Sequence, residues 1–225
     1  FIHFSGHGFP EGHFEDVNFS SFTLLQILQA IGEARTTPLR RLMITLDSCH
    51  SGVHVDGPFQ VLGGPGVRQG ESREIALDVV RNFNNDHYVA GARGRHLSYL
   101  GREIRLDDVS SSRSGLAQAV SREVIVVSST TQDNLSTEIS SDDGTRSEGG
   151  FFSSMLFQLA QADLNPSIGA FLDDLIRSTV RRSVEQPYEY FVRNRAWRTA
   201  PFWQNQVQVP VYRVYPASLL DERMK

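Results

Sequence analysis

The sequence predicts an α/β domain: a largely parallel sheet with helices on both faces. Two short runs, 42–46 (Leu-Met-Ile-Thr-Leu) and 124–127 (Val-Ile-Val-Val), are continuously apolar, as strands buried on both faces are and half-solvated strands are not. Around them lie stretches with the three-and-four spacing of amphipathic helices. Strands that alternate with helices rather than with hairpin turns belong to parallel sheets, because a parallel pair needs a crossover of a dozen or more residues.

Residues 1–4 (Phe-Ile-His-Phe) are short, apolar and aromatic and run into Gly6 and Gly8, a strand followed by a turn. Ser20 or Ser21 is placed to cap a helix to about residue 35, with Phe22, Leu24, Leu25, Ile27, Leu28 and Ile31 as its broad apolar face. Pro38 closes that unit, and 42–46 is the next strand. The Gly- and Pro-rich stretch 53–72 reads as loop. Ser72 predicts a cap for a helix to about residue 84, with Ile75, Ala76, Val79, Val80 and Phe83 inward. The Arg-rich stretch 85–112 shows no regular period, 114–122 reads as a short helix, and 124–127 is a second buried strand. Residues 129–150, dominated by Ser, Thr, Asp and Gly, predict a long polar loop, a kind that usually carries function. Amphipathic helices follow at 151–161 and 167–182, and Val207, Val209, Val211 and Val214 suggest a late strand.

At 225 residues with no internal repeat or clear linker, one domain is expected over 1–225. Residues 1–52 hold the motifs below, 53–122 form a loop-rich insertion, and 123–225 make the C-terminal half. The composition, 40% hydrophobic and 21% charged, excludes disordered and fibrous classes. No apolar run approaches the roughly 20 residues of a membrane helix, so no membrane partner is expected. A net charge of −4 gives no reason to expect nucleic acid. The single cysteine, Cys49, excludes an internal disulfide framework and a multi-cysteine zinc site.

Chemistry concentrates at two predicted strand ends. The first is Phe4-Ser5-Gly6-His7-Gly8; the second is Leu46-Asp47-Ser48-Cys49-His50-Ser51-Gly52. Ligands of open α/β sheets bind beyond the carboxyl ends of strands. The stretch between the motifs holds one helix, which suits a crossover between neighbouring parallel strands. His7 and Cys49 would then lie just past adjacent strand ends. A thiol beside an imidazole is a nucleophile with its base. Gly6 and Gly8 allow sharp turning and close approach to a ligand. The backbone N–H groups of Gly8 and Cys49 are candidates for an oxyanion hole. Asp47 places a carboxylate beside the site, suited to a cationic side chain. Other readings stand alongside: a lone cysteine is most often a small core residue, and Asp47 suits a turn cap. His3, His7, His13, His50 and His54 are numerous enough for a metal site but match no standard zinc spacing. The cysteine loop also lacks the Arg of a phosphatase.

Ser5-Gly6-His7-Gly8 with Asp47-Ser48-Cys49-His50-Ser51-Gly52 resembles the caspase superfamily of cysteine peptidases, specifically its metacaspase and bacterial caspase-like (orthocaspase) branch. Two later segments agree: 124–138, a strand followed by a polar stretch, and Gly149-Gly150-Phe151-Phe152-Ser153 opening a helix. The resemblance spans residues 1 to about 165. It implies a caspase-like three-layer sandwich and a cysteine endopeptidase with His7 and Cys49 as catalytic dyad. It further implies Gly8 and Cys49 as oxyanion-hole backbone, and Ser5 and Asp47 lining a substrate pocket for Arg or Lys. Protein or peptide substrates are the implied partners. The alternative is a catalytically inactive caspase-like scaffold. Calcium-dependent members carry an acidic cluster between the motifs; here it thins to Glu11, Glu15, Asp16 and Glu33, with Asp56 beyond the cysteine. A hard cation takes six or more oxygens, so no metal or cofactor is expected.

Three further expectations follow. An enzyme that cuts after Arg should nick itself at Arg68, Arg73, Arg93, Arg95, Arg102, Arg105, Arg113 or Arg122, mostly in predicted loop. One unpaired thiol favours a reducing, cytoplasmic compartment. The family's strands before the His motif are missing, and the apolar strand at 1–4 lacks the Lys, Pro or bulge that protects an edge. An upstream segment or a partner is therefore expected to supply them.

Overall fold

The computed structural model describes residues 1–16, 18–34, 36–37, 39–55, 68–69, 75–79, 82, 121–131, 135–140, 147–162, 165–194 and 207–224. The strands, in chain order, are β1 (Ile2–Ser5), β2 (His7–Gly8), β3 (Phe14–Glu15), β4 (Ser21–Phe22), β5 (Leu39–Asp47), β6 (Arg68–Gln69), β7 (Ser121–Ser128), β8 (Glu138–Ser140), β9 (Ser147–Gly150) and β10 (Val211–Tyr215). The helices are α1 (Leu24–Glu33), α2 (Phe151–Gln161) and α3 (Ile168–Asn194), with 3-10 turns at Ser51–His54 and Ala217–Asp221.

The main sheet has the order β1-β5-β7-β10-β6. β1 pairs parallel with β5, and β5 parallel with β7. β10 is antiparallel to β7 and β6 antiparallel to β10, so β10 alone runs against the other strands. The chain is thus α/β on a mixed, mostly parallel sheet. Strand alternation sends Leu42, Ile44, Leu46, Val124 and Val126 to one face, where they pack with Leu24 and Leu28 of α1 and with Phe14. Ile125, Val127, Tyr212 and Val214 face the other way, against α2 and α3 through Phe152, Leu156, Leu172, Leu175 and Ile176. Both faces of β5 and β7 are covered, which is why 42–46 and 124–127 within them read as near-continuous apolar runs, broken only by Thr45. Arg41 of β5 ties β7 to the C-terminal segment, its Nε donating to Glu123 at 2.8 Å and its Nη2 to Glu222 at 2.5 Å.

The predicted strands at 1–4, 42–46 and 124–127 are β1, β5 and β7, and the helix at 151–161 is α2. The structure departs from the sequence reading in several places. α1 starts later than Ser20 or Ser21 because Thr23 and Gln26 form a capping box, Thr23 Oγ1 accepting from the Gln26 N–H and Gln26 Oε1 from the Thr23 N–H; Ser21 and Phe22 belong to β4. Residues 121–122 extend β7 rather than ending a helix, and the rest of 114–122 lies outside the described residues. The stretch 129–150 is not all loop: β8 and β9 form a hairpin within it. Ile139 is the one large apolar residue of its two strands, and a ladder is made of main-chain groups, so composition hid the strands. α3 continues past the predicted end at 182 to Asn194, through Pro187, a residue type that helix interiors disfavour. In the predicted late strand, Val207 and Val209 precede β10 but are buried with it. Of the predicted helix at 72–84, residues 75–79 are helical, with Ile75 and Ala76 buried; Val80 and Phe83 lie outside the described residues. Arg68 lies in β6 and Arg122 in the interior strand β7, not in loops; the remaining predicted self-cleavage arginines lie outside the described residues. Among the described residues, no helix is long and apolar enough to cross a membrane.

Candidate active site

The two sequence motifs meet because β1 and β5 are adjacent and parallel. Ser5 stands in register with Asp47, and the Gly6 N–H donates to the Asp47 carbonyl at 3.1 Å, carrying the ladder one residue further. β2 then pairs with β3, and β3 with β4, in a small separate sheet whose Phe14 is fully buried. This anchors β2 beyond the end of β5. Gly8 packs directly on the Ser48-Cys49 loop: a Cβ there would lie 2.3 Å from the Cys49 carbonyl oxygen and 2.7 Å from Ser48 Oγ. Only glycine permits that approach. His7 is the residue before Gly8, so it flanks the Ser48-Cys49 main chain; its side chain is exposed, and that of Cys49 is partly exposed.

Past Cys49 the chain reverses through His50, whose φ of +57° lies in the left-handed region, and enters the 3-10 turn Ser51–His54. Non-glycine residues in that region carry strain of about 1 kcal/mol or more and gather at functional turns. Ser51 and Ser128 pack against each other at the neighbouring strand ends, their hydroxyls 2.7 Å apart. Among the described residues, Ser48 Oγ is buried without a hydrogen-bond partner.

A polar network lies on one side of the thiol. Cys49 Sγ donates to the carbonyl of Ser136, between β7 and β8, at 3.9 Å. Ser136 Oγ donates to Asp47 Oδ1 at 2.5 Å. Asp47 Oδ2 accepts from the Ser153 N–H at 2.9 Å and from Ser153 Oγ at 2.6 Å. Asp47 therefore caps the N-terminus of α2, where its charge also meets the helix dipole. It is only 3% exposed: the structure holds this carboxylate beneath Ser136 and Ser153, not lining an open cleft. Gly150 at the start of α2 is required there, since a Cβ would fall 2.0 Å from Asp47 Oδ2.

The network extends to β1. His3 Nε2 is 3.1 Å from Ser153 Oγ, and His3 Nδ1 is 2.8 Å from Thr45 Oγ1. Because Ser153 gives its only hydroxyl proton to Asp47, the His3 Nε2 side must donate, which selects the tautomer. Burial pushes the His3 pKa below its usual value, and the Asp47 charge pulls it partly back. His54 packs on Phe14 with ring centroids 4.3 Å apart; burial lowers its pKa to about 4.

The structure thus sets Ser5 beside Asp47 in register and Gly8 against the main chain of Cys49, with His7 next to Gly8 in the chain. Sequence reasoning did not single out Ser136 or Gln208, and it named His3 and Ser153 without joining them to Asp47. Ser153 carried one usable signal, a serine in the first turn of a predicted helix. The histidines do not converge: among the described residues no group of three or more His, Cys, Asp or Glu side chains is placed to hold a metal ion. Asp16 instead accepts the N–H groups of Asn18 and Ser20 in a turn, and Asp56 lies outside the described residues. No protein-family model matches the chain, and no curated protein matches it significantly.

Proposed function

We propose that the chain is a cysteine endopeptidase of caspase-like fold, in which Cys49 is the nucleophile and His7 its proton carrier. One observation carries the reading: Gly8 rests on the main chain of Ser48 and Cys49, so the imidazole-bearing and thiol-bearing loops leave adjacent strand ends together, with both side chains reachable from solvent. The thiol proton passes to the His7 imidazole as sulfur bonds to the carbonyl carbon, and the carbonyl electron pair moves onto oxygen. The N–H groups of Gly8 and Cys49 are the donors assigned to that oxyanion, where each typically contributes a few kcal/mol. Collapse breaks the C–N bond, the leaving amine takes the proton from His7, and water then cleaves the thioester with His7 again as base.

The preference for Arg or Lys before the scissile bond rests on Asp47, two residues from the nucleophile, with Ser5 in register beside it. Asp47 acts from below, through its field rather than by direct exposure, and a charge in a buried position is weakly screened. Protein or peptide chains are the substrates, and the cytoplasm suits a thiol that must stay reduced.

The test is covalent labelling. A peptidyl-arginine acyloxymethyl ketone should modify wild-type protein at Cys49, and label should be absent from Cys49→Ala and reduced at least a hundredfold in rate in His7→Ala. Peptide hydrolysis should follow the same pattern. Equal labelling of wild type and His7→Ala, or hydrolysis by Cys49→Ala, would refute the dyad. A folded wild type that neither labels nor cleaves would favour the non-catalytic scaffold.

A further inference from the structure

We infer that Gln208 is a specificity-positioning residue for the cleavage proposed above, on which this assignment rests: it clamps residues 136–137 so that Asp47 and the Ser136 carbonyl stay registered with Cys49. Gln208 lies just before β10, and its side chain is fully buried at 0% exposure. Both ends of its amide are used. Oε1 accepts from the Thr137 N–H at 3.0 Å, and Nε2 donates to Ser136 Oγ at 3.2 Å. A backbone N–H can only donate, so the amide has one possible orientation. Ser136 Oγ, having accepted from Gln208, passes its own proton to Asp47 Oδ1 at 2.5 Å. The donors therefore run in one direction, from amide to hydroxyl to carboxylate, each polarising the next. The other end is anchored on α3: the Gln208 N–H donates to Ser183 Oγ at 3.1 Å, and that hydroxyl donates to the Val180 carbonyl at 2.8 Å.

The arrangement matches the other half of the carboxylate. His3 backs Ser153, which donates to Asp47 Oδ2, as Gln208 backs Ser136, which donates to Oδ1. Among the described residues, Gln208 alone reaches both the hydroxyl that holds the acid and the main chain next to the carbonyl that faces the thiol. Removing its amide takes away one hold on each of residues 136 and 137 at once, leaving the Phe151 N–H on the Thr137 carbonyl and Ser129 Oγ on Ser136 Oγ. The acid then loses a fixed donor, and the thiol loses a fixed acceptor.

The experiment compares wild type with Gln208→Met, which keeps the volume but has no amide, and with Ser136→Ala and Ser136→Thr, all checked by thermal melting. Two readouts are taken: kcat and KM for peptides with Arg or the uncharged isostere citrulline before the scissile bond, and the rate of Cys49 alkylation by iodoacetamide. In Gln208→Met and Ser136→Ala, the Arg-over-citrulline ratio of kcat/KM should fall at least fivefold, mainly through KM, and the alkylation rate should change at least threefold. Ser136→Thr, which retains the hydroxyl, should stay within twofold of wild type in both. Unchanged discrimination in folded Gln208→Met and Ser136→Ala, or a loss confined to kcat, overturns the assignment. If wild type cleaves neither peptide, the endopeptidase reading fails by itself, and alkylation still decides the clamp: equal rates in all four proteins overturn it.

Discussion

Replacing Asp47 by Asn removes one charge and exchanges one acceptor oxygen for a donor, leaving the shape almost unchanged. In the folded protein the carboxylate accepts three hydrogen bonds at 2.5, 2.6 and 2.9 Å and is 3% exposed. A hydrogen bond to a charged group contributes about 1.5–3 kcal/mol, and its neutral counterpart about half that. With the Asn oxygen turned to Ser153, both bonds there survive in weakened form. The Asn amide nitrogen then faces Ser136 Oγ, which already accepts from Gln208 and has to turn its proton elsewhere. Ser129 Oγ, 3.4 Å away, is the neighbour able to take it, through a long bond. One strong bond lost and two weakened, offset by the lower desolvation cost of a neutral amide, leave a net destabilisation of about 2–3 kcal/mol. For a chain of this size that is a fall in Tm of roughly 4–12 °C. The assay is thermal and urea unfolding of Asp47→Asn against wild type, both in a Cys49→Ala background so that no self-cleavage enters. A solvent-lining acid without internal partners would change stability by less than about 0.5 kcal/mol. A Tm within 1 °C of the parent would therefore show that the carboxylate is not held by Ser136 and Ser153.

Gly8→Ala places a methyl group 2.3 Å from a main-chain oxygen, a clash that no rotamer relieves. It should cost about 1–3 kcal/mol in stability and, by displacing β2 from Cys49, lower the rate of Cys49 labelling on the order of a hundredfold; a folded variant labelling at the wild-type rate would refute the close approach. His54 gives a pH signature. Its folded-state pKa is about 4 against 6.5 for the free side chain, so above pH 6.5 it is neutral in both states and contributes no slope. Between pH 6.5 and about 4 the unfolded chain takes up a proton that the folded protein refuses, and stability falls by up to about 3 kcal/mol. Urea unfolding at pH 7 and pH 4.5 should show that loss in wild type and much less of it in His54→Gln; parallel pH profiles would assign the acid sensitivity to other groups.

The strands that carry the site were legible because burial on both faces leaves a local mark: 42–46 and 124–127 could not be so uniformly apolar in a half-solvated sheet. The pairing of the two motifs was legible as well, since one intervening helix suits a crossover between neighbouring parallel strands, and the register of Ser5 with Asp47 agrees with it. Where sequence reasoning erred, a local rule was outweighed or unseen. Ser20 and Ser21 resemble caps, but Thr23 has its Gln26 partner three residues on. The β8–β9 hairpin escaped notice because its ladder is made of main-chain groups and needs no run of apolar side chains.

What the amino-acid order determined by itself was the α/β class, the two strand-end motifs and the candidate chemistry of a thiol near an imidazole. Tertiary structure alone decided what surrounds that chemistry. Asp47 meets Ser136 across 89 positions and Ser153 across 106, His3 meets Ser153 across 150, and Gln208 meets Ser136 across 72. Apolar burial repeats with the period of a helix or strand and so can be read along the chain. A hydrogen bond between side chains on separate elements has no period, and it exists only because the sheet and α2 bring those few atoms within 3 Å or so of one another.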